Sequence, residues 1–111
     1  MEKNIKRFVN VFTIDEWGKV QENYGTIVAT DIEFLIKESE DLDLLCLSGI
    51  DIEFDTYFNY AQSKEIFDNE LSVLKNKKNI NFSLLKVIEK GIDFVKREGD
   101  WIYLKIEKAT P

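Results

Sequence analysis

Ile50-Asp-Ile-Glu-Phe-Asp-Thr-Tyr-Phe-Asn-Tyr60 alternates apolar and polar side chains almost without a break. Successive side chains of an extended chain point to opposite faces, so this spacing predicts a strand with Ile50, Ile52, Phe54, Phe58 and Tyr60 on one buried face. Asp51, Glu53, Asp55, Tyr57 and Asn59 then share the other. Residues two apart stand roughly 7 Å apart along a strand, so the three carboxylates form a rail that Tyr57 continues. Neighbouring like charges at that spacing repel by about 0.6 kcal/mol per pair in bulk-water dielectric, and folding gains nothing obvious in return. Three readings of the rail stand open. It is a solvated sheet face, a docking face for the Lys and Arg of a partner with Tyr57 and Tyr60 as amphipathic anchors, or a hard-cation site. The cation reading fits worst. Alternation spreads the three carboxylates too widely for one ion, and the Gly-centred twelve-residue loop of calcium sites is missing. No metal and no cofactor is expected.

The acidity extends well beyond the rail. Glu22 to Glu70 holds thirteen carboxylates against Lys37 and Lys64, a net charge of −11 within a chain of −6. Asp41 and Asp43, in the run Glu38-Ser-Glu-Asp-Leu-Asp43, extend the same acidic block toward the rail. A one-signed block of this size attracts cationic surfaces and repels phosphate. The expected partner is a basic protein, with no direct binding of nucleic acid. Asp51, Glu53, Asp55, Tyr57, Tyr60, Asp41 and Asp43 are the candidate partner-binding residues.

Composition excludes several kinds of chemistry. Histidine is absent, which removes the commonest general base, the commonest metal ligand and every His-dependent triad. The five glycines are scattered in no phosphate-binding pattern, and no serine lies in a nucleophile elbow. A non-enzymatic role is expected. With 111 residues, 44% of them hydrophobic and 13% aromatic, the chain can build one core without staples, so residues 1–111 are read as a single domain. The lone Cys46 lies in an apolar run and reads as a small buried hydrophobe. No stretch approaches the roughly 18 apolar residues of a membrane span and the N-terminus lacks a signal-peptide core, so a cytoplasmic location away from membranes is expected.

Outward from Ile50 to Tyr60, the β-branched and aromatic run Ile5 to Ile14 predicts a strand. Thr13-Ile-Asp-Glu16 has capping-box spacing ahead of Trp17, Val20 and Tyr24, which predicts a short helix ending at Gly25. Thr30-Asp-Ile-Glu33 repeats that spacing, so a second helix should run from the high 20s to about Glu38. Leu42 to Leu47 fits either a buried strand, with a Ser48-Gly49 hairpin turn, or a short helix. Ser63 is positioned to cap a third helix with the stripe Ile66, Phe67, Leu71, Leu74 and a stop at Asn79. Ser83 is positioned to cap a fourth that ends at Gly91, with Phe82 stapled to Val87. Ile92 to Arg97 and Trp101 to Glu107 read as a C-terminal hairpin about Glu98-Gly99-Asp100, with Ile102, Leu104 and Ile106 inward. Trp17 and Trp101 are expected to pack in the core or hairpin. The sum is an α+β domain: about four to five strands in a mostly antiparallel sheet, including that hairpin, with three to four short helices.

A small acidic α+β chain with no histidine and a carboxylate-plus-tyrosine face resembles the immunity proteins of contact-dependent growth inhibition and related polymorphic toxin systems of bacteria. The resemblance covers the whole chain in size, charge and architecture and rests on no motif. It implies a protein that binds and neutralises a cognate toxin domain, such as a nuclease with a cationic cleft. Two other readings stand beside it. One is a phage-encoded or stress-related inhibitor that mimics nucleic acid, and the other a small metal-dependent hydrolase built on Asp51, Glu53 and Asp55.

Overall fold

The computed structural model of the chain describes residues 7–77 and 80–109. Strand β1 (Phe8–Asp15) runs straight into β2 (Val20–Val28), which leads without a loop into helix α1 (Ala29–Asp41). A connection with one 3-10 turn, Leu47–Gly49, reaches the short strand β3 (Thr56–Phe58). Helix α2 follows in three consecutive pieces: α-helical Tyr60–Glu65, π-helical Ile66–Glu70 and α-helical Leu71–Lys75. Helix α3 (Phe82–Glu98) and strand β4 (Ile102–Ala109) complete the fold. The four strands form one sheet in the order β2-β1-β4-β3, every pair antiparallel. The α+β expectation therefore holds, with three helices and four strands among the described residues.

The helices all pack on one face of the sheet. Val9 and Val11 of β1 and Ile102, Leu104 and Ile106 of β4 alternate into a single core cluster. Ile32 and Leu35 of α1, Ile66, Leu71 and Leu74 of α2, and Leu84, Ile88, Ile92 and Val95 of α3 join them there. The inward set predicted for the last strand is the one observed. On the opposite face, cross-strand rows place Ile14 between Val20 and Tyr103, and Phe12 between Asn23 and Lys105. Phe12 and Ile14 are buried but stand outside the core cluster.

Several local expectations are overturned. The helix predicted from Thr13 to Gly25 is a β-hairpin. The Asp15 carboxylate accepts the backbone N–H groups of Trp17 and Lys19, both at 2.9 Å, and Gly18 takes φ +83°, which closes a tight turn. Thr13 is fully buried in the sheet opposite Leu104, so it caps nothing. Gly25 sits at a register shift of the hairpin with φ +112°. Trp17 stands on the turn at 85% exposure rather than in packing.

The expected C-terminal hairpin is also absent, because Ile92 to Arg97 continues α3. Leu84, Ile88, Ile92 and Val95 keep helical spacing through Gly91, which is interior to the helix. A Cβ at Gly91 would collide with Leu104 Cδ1, so glycine serves close approach of helix to sheet here. The real stop is Gly99, at φ +103°.

The caps shift by a few residues. Asn59 and Gln62 cap α2 reciprocally, at 2.9 and 3.0 Å, while Ser63 is buried inside the helix. Asn81 Oδ1 accepts the N–H groups of Ser83 and Leu84 to cap α3, and Phe82 is half exposed. Asn79, the expected stop of α2, lies outside the described residues, but that helix ends earlier, at Lys75. Helix α1 starts one residue before Thr30, and the Ala29 N–H bonds the Arg7 carbonyl at 2.7 Å.

Candidate partner-binding surface

Only Thr56 to Phe58 of the alternating stretch is strand. Strand pairing ends at Thr56 opposite Ile106, and the side chain of Asp55, not its backbone, takes the next donor, the Lys108 N–H, at 3.1 Å. Asp51 Oδ1 accepts the Glu53 N–H at 2.7 Å, an Asx-type bend that turns the chain away from the extended course. The Asp51 N–H in turn donates to Thr56 Oγ1 at 3.1 Å, closing residues 51–56 into a loop. Phe54, expected inward, is 71% exposed, while Ile50 and Phe58 are buried as expected.

The bend dismantles the carboxylate rail. Glu53 meets Arg7 Nη2 at 2.7 Å and Lys108 Nζ at 3.7 Å, and Asp55 lies 3.5 Å from Lys105 Nζ. These two carboxylates neutralise cations of this same chain at the end of the sheet. Tyr57 stays exposed beside them, with Lys105 Nζ 5.4 Å from its ring centroid. Burial alone would lower the Lys105 pKa, but hydrogen bonding and charge from Tyr57, Glu107 and Asp55 outweigh it and hold the pKa raised. Tyr60 opens α2 and packs against the core cluster, away from Tyr57.

Asp51 goes the other way. It forms no ion pair with a described residue and faces α1 across a shallow groove of about 410 Å³. Glu33, Lys37, Glu40 and Asp41 of α1 line one side, Asp51 the other, and Ile36, Ile50 and Ile52 form the floor. Four carboxylates against one lysine surround an apolar strip. Asp41 and Asp51, distant in sequence, are thus brought together, while Asp43 is not in this groove. Asp43 follows α1 at φ +57°, where the Asp43 and Leu44 N–H groups return to the carbonyls of Glu40 and Ser39 at 3.1 and 2.8 Å. That is a Schellman stop with aspartate in the place glycine usually takes.

Glu33 and Glu40 join the groove although sequence reading did not single them out. Their signal was the spacing Glu33, Lys37, Glu40, Asp41, one face of a helix whose existence was already expected. Cys46 is half buried against the core rather than fully enclosed, and its thiol pKa is pushed up to about 11, by burial first and then by the charge and hydrogen bonding of Glu70.

Among the described residues, no group of three Asp, Glu, Cys or His side chains is placed to hold a metal ion. Nor is any described helix long and apolar enough to cross a membrane. No family model matches the chain, and no curated protein or solved structure matches it either.

Proposed function

We propose that this chain is a non-enzymatic neutralising protein of the immunity type, which holds a basic toxin domain in the cytoplasm against the outer side of α1. The observation that carries the reading is the groove, in which Glu33, Glu40, Asp41 and Asp51 surround the floor of Ile36, Ile50 and Ile52. Lysine and arginine are long apolar stems with charged heads, so their stems would lie on the floor and their heads reach the carboxylate rim. Phe34, also exposed on α1, lines a separate hollow with Leu35, Ile80 and Leu84 and takes no part in this groove. The uncompensated acids accelerate encounter with a cationic cleft, and the same field keeps nucleic acid away. Glu53 and Asp55 contribute little, because cations of their own chain already hold them.

The test uses the protein domain encoded immediately upstream of the gene. Raising salt from about 0.05 to 0.5 M should slow its association at least about tenfold while dissociation changes less. Replacing Glu40 by Gln and Asp51 by Asn together should weaken binding by about 1–3 kcal/mol with the melting temperature unchanged. Absence of binding, or an association rate indifferent to salt, would sink the reading.

A further inference from the structure

The connection from α1 to β3 leaves the acidic groove at Asp41 and rejoins it at Ile50. Between those points Asp43 to Cys46 form one wall of a second hollow, of about 260 Å³, and Glu65, Asn69, Glu70 and Val73 of α2 form the other. Leu44 at its back is buried in the core cluster, but Leu45 and Val73 on its lip are 82% and 39% exposed. Folding gains little from either side chain. The connection is nonetheless held firmly, because the Glu70 carboxylate accepts the Cys46 and Leu47 N–H groups and the Ser48 N–H returns to the Leu44 carbonyl at 2.9 Å. A hollow fixed in this way costs an occupant no ordering of the loop.

Its polar groups are already engaged or lie on the rim. Glu70 is consumed by the two backbone donors, and Glu65 Oε1 accepts Asn69 Nδ2 at 2.8 Å. Asp43 and Glu65 are its exposed carboxylates, and no lysine or arginine lines it. The hollow thus has the same sign of charge as the groove. It is also close to it, since Asp41 lines one and Asp43 the other, and two residues of chain span at most about 7 Å.

We infer that this hollow seats a large apolar side chain of the same basic partner, with Leu45 as the anchor on its lip. The inference rests on the reading of the groove and adds the apolar centre that the groove lacks. Stable interfaces set an apolar centre within a charged rim and cover about 800 Å² on each partner, a patch roughly 30 Å across that takes in both features. The carboxylates of the groove act on encounter, whereas apolar burial around Leu45 acts on dissociation. Charge selects the occupant. A second copy of this chain, at −6, or a nucleic acid would bring like charge to Asp43 and Glu65, and a basic protein brings the opposite sign. Asp43 adds charge to the rim but no apolar contact, so the seat survives the loss of its carboxylate.

Association and dissociation rates of the whole chain with the domain encoded upstream test this. Leu45→Ser and Val73→Ser should each speed dissociation at least about fivefold and leave the salt dependence of association as it was. Leu45→Asp separates burial from charge. It adds a carboxylate toward a basic partner, which electrostatics alone would turn into tighter binding, whereas loss of the apolar seat should weaken binding at least about tenfold. Leu45 is exposed in the free chain, so circular dichroism melts of its two variants should coincide with that of the unchanged protein. Cys46 lines the hollow, so its alkylation by iodoacetamide should slow at least about tenfold in the complex. Dissociation unchanged by Leu45→Asp, or a Cys46 equally reactive free and bound, overturns this inference and leaves the groove standing if binding still depends on salt. No binding by the unchanged chain overturns both.

Discussion

The carboxylate of Glu70 accepts the backbone N–H of Leu47 at 2.9 Å, across 23 residues of sequence. It also accepts the Cys46 N–H at 3.0 Å and is itself only 3% exposed. Both donors lie at the start of the 3-10 turn Leu47–Gly49, where a helix leaves N–H groups without internal partners. The π-helical segment of α2 ends on Glu70 and places it there. One side chain of α2 thus fixes the connection that leads directly to Ile50 and Asp51, and with it one wall of the acidic groove.

Glu70→Ala should therefore cost about 2–4 kcal/mol, since the buried Leu47 N–H and the partly buried Cys46 N–H both lose a charged acceptor. Glu70→Gln keeps one acceptor oxygen and should cost less, about 1–2 kcal/mol. Urea unfolding of the three proteins measures this order, and equal stabilities would show that the turn does not need the carboxylate.

Gly91→Ala tests the contact between α3 and β4. Helix propensity alone would favour alanine by up to about 1 kcal/mol, but crowding against Leu104 Cδ1 should reverse the sign and give a net loss of about 1 kcal/mol. In a Leu104→Val background, which lacks that atom, Gly91→Ala should become neutral or stabilising. Thermal melts of the four proteins complete the cycle.

Asp43→Gly should raise stability by about 0.5–1 kcal/mol, because the αL position that ends α1 strains a residue with a Cβ. Asp43 lies outside the groove of Asp41 and Asp51, so partner binding should change by much less than with Asp51→Asn. Paired melting and binding measurements separate the two roles that sequence had merged.

The Cys46 thiol, at about 11, should react with a thiol-directed reagent slowly at pH 8 and follow a titration centred near that value. The unfolded thiol ionises at lower pH, so the native state binds the proton more tightly. The linked stability is fully present below the unfolded value and is lost as pH rises toward 11. In denaturant the reactive midpoint should fall, and an unchanged midpoint would mean that burial does not govern the thiol.

The elements legible from sequence are those whose local pattern and tertiary surroundings agree. The run ending at Ile14 became β1, the acidic helix became α1, and Ile102, Leu104 and Ile106 face inward because each has a packed layer to meet. The −11 charge between Glu22 and Glu70 was likewise visible. Ile92 to Arg97 read as a hairpin strand and is helix, because so short an apolar run fits either period. The continuing stripe from Leu84 and Ile88, seated through Gly91 on Leu104, decided for helix.

Sequence alone determined an acidic α+β chain, its inward-facing β4 and the helix that carries half of its acidic groove. Tertiary structure alone decided which carboxylates act together. Alternation makes a strand possible, but a strand also needs a neighbour for its backbone, and of this stretch only Thr56 to Phe58 pairs with β4. Upstream of Thr56 the Asp51 and Asp55 side chains take backbone donors instead, and the chain bends. Glu53 and Asp55 are thereby given to cations of their own sheet, and Asp51 to the groove beside α1.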